Sequence, residues 1–153
     1  MTDTQSVIIA AERLLKKDDV ALALEIGLRE KLIESNPTAA NNPDVAIVYG
    51  THMGLIDDVK ALGWRILARW NKELYRVVCS SNTSADQELR TKILEALDVS
   101  EAALIAAVVP ALLWLGASAA IAAAVAALLV KKFIMPAKDE LCVAWGETIN
   151  AQG

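Results

Sequence analysis

The single histidine, His52, lies in Gly50-Thr51-His52-Met53-Gly54, with Asp57 and Asp58 shortly after it. An imidazole beside carboxylates has the makings of a metal site or an acid–base pair, but ligands must then converge at helical spacing such as i and i+4. His52 and Asp57 are five apart, and Ile56 holds the i+4 position. The spacing predicts a surface or capping histidine. An enzyme built around His52 with Asp57 or Asp58 is the minor reading. Gly50 and Gly54 make a GxxxG spacing, which in a helix permits close packing. No GxGxxG or GxxxxGKS/T pattern accompanies them, so they do not form a phosphate loop. Cys79 has no nearby histidine and no CxxC neighbour, and Cys142 falls among apolar residues and reads as core. Two cysteines are too few for a disulfide framework, so both are expected as reduced thiols. The acidic pairs Asp18-Asp19, Asp57-Asp58 and Asp139-Glu140 fall near helix starts or turns, where capping uses them. No catalytic residue, metal ligand or cofactor is assigned, no small-molecule substrate is evident, and the chain is expected not to be an enzyme.

One spacing points to recognition rather than catalysis. Arg65, Arg69, Lys72 and Arg76 form a stripe turned roughly 110° from an apolar face of Leu62, Ile66, Trp70, Leu74 and Val77, at 100° per residue. From Lys60 to Arg76 there are five basic residues and one acid, Glu73, in a chain whose net charge is −4. That overall acidity argues against a nucleic-acid partner. The four cations are the expected partner-binding residues, and acidic protein surface is the simplest partner, including the chain's own acidic helices within or between subunits.

The helix carrying that stripe must pack on something apolar. Ala102 to Val130 is a run of 29 residues without a charge, bounded by Glu101 and Lys131-Lys132. As one helix it would span roughly 43 Å, well beyond a hydrocarbon core of about 30 Å. Gly116 can close a helix, Ser118 can cap the next, and Pro110 favours a kink or a helix start. A hairpin is expected, with arms near 101–115 and 118–134. By the positive-inside rule Lys131, Lys132 and Lys138 would hold the C-terminal tail in the cytoplasm. A single span would then export the whole N-terminal part without a signal peptide, a conflict a hairpin avoids. The start of the chain lacks a basic region and cleavage site, and the KDEL string at 138–141 is internal.

Around the hairpin the pattern is helical. Thr4 or Asp3 can cap a helix running to Lys17. A second, about 18–35, has Val20, Leu24, Leu28 and Leu32 on one side and Leu22, Ile26 and Ile33 on another, leaving Glu30, Lys31 and Glu34 to solvent. The loop 36–43 ends where Asn42 and Pro43 are expected to start a third helix. A strand over Val45–Tyr49 paired with Tyr75–Ser80 is the runner-up. A fourth helix is expected over 62–80. Ser84 with Gln87 reads as the capping box of a fifth over 85–97. A last helix over 137–149 should place Leu141, Val143, Ala144 and Trp145 against the core.

These elements predict an all-α fold, a compact multi-helix bundle of six to eight helices around a central hydrophobic helical hairpin, as one domain over 1–153. The expected function is a non-catalytic interaction or assembly module, self-associating or a subunit of a larger complex, located in the cytoplasm. The alternative is a membrane-inserting or membrane-anchored effector that uses the apolar hairpin 102–130, with inner-membrane association. In that arrangement the chain resembles colicin-type pore formers, in architecture alone.

Overall fold

A computed structural model describes residues 4–45, 56–80, 84–137 and 140–151. The chain is all-α, a multi-helix bundle. Among the described residues seven α-helices follow in order: α1 Thr4–Leu14, α2 Asp19–Ser35, α3 Ile56–Tyr75, α4 Ser84–Leu97, α5 Glu101–Trp114, α6 Ala119–Leu129 and α7 Leu141–Ala151. Two of them run on into wider π-helical turns, α3 through Arg76–Ser80 and α6 through Val130–Ile134.

The apolar stretch folds back on itself. Ser100 caps α5, its side chain accepting from the Ala103 amide, and Ser118 does the same for α6 through Ile121. Between them Gly116 takes φ of 108°, and the Ala117 and Gly116 amides donate to the Leu112 and Leu113 carbonyls. That is a Schellman closure, which needs a residue able to adopt positive φ. Pro110 lies inside α5. All eleven residues of α6 are buried, as expected of a helix that is apolar on every side. Helices α1, α2, α3 and α5 all pack against it. Among the described residues no helix is long and apolar enough to cross a membrane.

Charge is used to anchor the ends of α6. Glu25 and Arg29, one turn apart on α2, are each only 4% exposed. Arg29 Nε donates to Glu25 at 3.0 Å, and its Nη1 donates to the carbonyls of Pro43 and Ala120 at 2.7 and 2.8 Å. Lys17 holds the other Glu25 oxygen at 2.8 Å. At the far end of α6, Lys131 donates to the carbonyls of Leu15 and Lys17, where a cation suits the end of α1. A buried ion pair is tolerated only when its remaining donors and acceptors are satisfied. Here they are: among the described residues every buried side-chain nitrogen and oxygen has a partner.

Glycine sets the contact between α2 and α3. A Cβ on Gly63 would lie 1.8 Å from the Ala23 carbonyl oxygen, and one on Gly27 would lie 2.1 Å from that of Val59. The backbones therefore touch, with the helices running in opposite directions through the contact. The close-approach glycines expected at 50 and 54 fall outside the described residues. Among the described residues Gly27 and Gly63 perform that role.

Several local expectations are corrected. Asn42 starts no helix: its side chain accepts from the Asp44 amide, and Pro43-Asp44 form a turn after a 3-10 turn at Pro37–Asn41. The strand alternative over 45–49 falls almost wholly outside the described residues, and the partner it needs at 75–80 is helical. Helix α3 begins at Ile56 rather than 62, and α7 at Leu141 rather than 137. Val143 points away from the core, 62% exposed, while Leu141 and Trp145 are buried. Val20 is likewise exposed.

The cysteines, expected as reduced thiols, form a disulfide. Cys79 and Cys142 have Cα atoms 5.6 Å apart and join the end of α3 to the start of α7. Sequence spacing cannot reveal this pairing, because it exists only once Trp145 seats α7 on α3. Trp145 Nε1 donates to the buried Asn71 side chain, its ring meets Tyr75 edge-on at 5.5 Å, and the Tyr75 hydroxyl donates to the Cys142 carbonyl.

Two outcomes follow. Gly63→Ala must push α2 and α3 apart, and overpacking of this kind costs about 1–3 kcal/mol or more, read as a lower urea midpoint with unchanged slope. Closing a loop of sequence separation 63 restricts the unfolded chain by about 4 kcal/mol on chain-entropy grounds. Reduction with a dithiol should remove much of that, about 2–4 kcal/mol, measured by denaturation with and without reductant.

Candidate functional site

Helix α3 carries the expected partner-binding residues, and its rotation decides what lies beside them. The face buried in the bundle is Val59, Gly63, Leu67, Trp70, Asn71 and Leu74. It is centred further round the helix than the face predicted from Leu62, Ile66, Trp70, Leu74 and Val77. Leu62 and Ile66 are only half-buried. The close contact at Gly63 is the cause, because that side of the helix must face α2. Leu62 and Ile66 are left on the shoulder between the core and the basic row.

The row itself is exposed along its whole length: Arg65, Arg69, Lys72 and Arg76 all face solvent. Arg69 lies over the Trp70 ring, 4.6 Å from its centroid. Such a contact holds the guanidinium flat against the surface with its edge outward. Arg76 pairs with Glu73 at 3.5 Å, both side chains about half exposed, an arrangement worth little in water. Among the described residues Arg65 and Lys72 have no ion-pair partner.

Beside the row lies a groove of about 340 Å³. Its floor is apolar, formed by Ile33 of α2, Leu62, Ile66 and Trp70 of α3, and Ile121 of α6. One rim is Arg69; the other is Glu30 and Glu34, one turn apart on α2. Glu34 has Lys31 at 3.8 Å, too far for a strong pair. The groove thus offers apolar surface between opposite charges. Ser118, whose hydroxyl caps α6 by accepting from the Ile121 amide, also lines it.

The remaining candidate chemistry does not converge. His52 lies outside the described residues. Asp57 and Asp58 sit exposed in the first turn of α3, where carboxylates favour the helix end, and Asp57 is 3.5 Å from Lys60. Asp18 is the N-cap of α2, accepting from the Ala21 amide at 2.7 Å. Among the described residues no group of three or more His, Cys, Asp or Glu side chains could hold a metal ion. The sequence reading missed the acidic rim, treating Glu30 and Glu34 as plain solvated surface. Their i, i+4 spacing next to Ile33 was the available signal. No family model, curated protein or solved structure matches the chain.

Proposed function

We propose that the protein is a non-catalytic helical interaction module that docks an acidic amphipathic helix on the α3 surface. The observation that supports this reading is the pairing of four exposed cations with half-buried apolar side chains on one shoulder of one helix. A solvated flank needs no such neighbours; a docking surface uses the apolar shoulder for affinity and the charges for orientation and rate. Arg69, laid on the buried Trp70, is the anchor, since arginine is among the residues that dominate the energetics of protein interfaces.

The disulfide counts against the cytoplasmic placement expected from the sequence, because cytosolic thiols are held reduced.

The test uses a labelled amphipathic peptide with a leucine face and glutamates at i and i+4, followed by anisotropy. The Arg65→Glu/Arg69→Glu/Arg76→Glu variant should bind it roughly 100-fold more weakly, as like charges then oppose each other. Raising the salt concentration should weaken the wild type. Equal binding by both proteins would remove the reading.

Membrane insertion of the hairpin is a second reading, favoured by one observation. Trp114, at the bend between α5 and α6, is 58% exposed, at the tip of a hairpin whose second arm has no polar side. An aromatic at that place suits a headgroup layer. Dye release from anionic liposomes by the intact protein would support it, and flotation with no bound protein would end it.

A further inference from the structure

The groove carries both signs of charge, and that narrows the partner. Glu30 and Glu34 stand on the α2 rim and Arg69 on the α3 rim, with the apolar floor of Ile66, Trp70 and Ile121 between them. A foreign acidic helix would satisfy Arg69 but would meet Glu30 and Glu34 as like charges. A surface with the same two rims meets neither problem. If a two-fold axis runs between the rims, the acidic rim of one copy lies on the basic rim of the other, twice over. An axis running across them would set like on like. Rim charges alone thus select one orientation of a self-complementary pair, the condition for an isologous contact.

Resting on the docking reading above, we infer that the occupant of this groove is a second copy of the chain. Glu30 and Glu34 of each copy face Arg65 and Arg69 of its partner across Leu62 and Ile66. The half-exposed apolar shoulder becomes the centre of the contact, and the charges form its polar rim. Lys72 and Arg76 continue the basic row beyond the groove.

Sedimentation equilibrium should find the wild type at twice the 16.4 kDa chain mass, with the dimer weakening as salt rises. Glu30→Lys/Glu34→Lys and Arg65→Glu/Arg69→Glu, each alone, should raise the dimer dissociation constant by roughly tenfold or more, since each sets like charges together at both rims. Mixing the two variants should restore a dimer, and only the mixed one, because both rims are then complementary. Lost packing or partial unfolding is not rescued by mixing, so this outcome separates the proposal from a structural defect. Should either pair fail to fold, Glu30→Gln/Glu34→Gln and the wild-type salt series read the same contact. A wild type that stays monomeric up to millimolar concentration, or reversed variants that dimerise as well as it does, would overturn the inference. A monomer that still binds the glutamate peptide through Arg69 would leave the docking reading standing and give the groove to a foreign helix. A monomer that binds neither would remove both.

Discussion

Helix α6 has no side that water can solvate, and the bundle is the consequence. Alanine supplies most of its surface, so its neighbours can come close, but every neighbour must present an apolar face. Each buried Ile, Val or Leu contributes about 1.5–3 kcal/mol relative to exposure, and α6 holds four of them. Polar side chains meet it near its ends. Arg29 donates to the Ala120 carbonyl at the start of α6, and Lys131, just past its end, donates to the Leu15 and Lys17 carbonyls at the end of α1. Burial of the Glu25–Arg29 pair is thus secondary to the apolar helix. Once α2 lies against α6, charges on its inner side must pair with each other and with nearby carbonyls.

A second constraint acts between α2 and α3. With no side chain at Gly27 or Gly63, these helices approach until backbone meets backbone. The contact fixes the rotation of α3 and leaves Leu62 and Ile66 half-buried rather than central. The groove and its basic rim therefore follow from the close packing of Gly63, on the buried face of α3, against α2. Disulfide Cys79–Cys142, together with Trp145 on Asn71, holds the distal end of α3 in the same orientation. The surface belongs to helices whose other sides are packed in the bundle.

Local signals in the sequence read well where a short stretch decides the outcome. Asp18, Ser100 and Ser118 cap the helices expected of them, and Gly116 closes α5. The hairpin and the exposed basic row also follow from spacing alone. What escaped depends on residues far apart in the chain. The Gly27–Val59 and Gly63–Ala23 contacts, the disulfide across 63 residues and the salt bridge from Lys17 to a buried Glu25 exist only after helices dock. Two of these had local traces: a lone glycine inside each helix, and Glu25 four residues before Arg29. The apolar face of α3 misled for the same reason. Hydrophobicity pointed to Leu62 and Ile66, whereas packing was decided by the smallest residue on the helix.

A row of cations on a helix flank is common and by itself says little, since exposed charges cost nothing and most ion pairs at surfaces contribute little. What gives this row meaning is its company. A bundle with an all-apolar helix at its centre has no shortage of places to bury leucine and isoleucine, yet Leu62, Ile66 and Ile33 remain at the surface around a groove. Tryptophan sits in the same place, covered by an arginine that is itself exposed. Carboxylates stand on one side of that apolar ground and guanidinium on the other, held apart by the groove rather than neutralising each other in salt bridges. Separated opposite charges across an apolar floor favour an occupant that brings the complementary arrangement, and a surface of this kind is complementary to a rotated copy of itself.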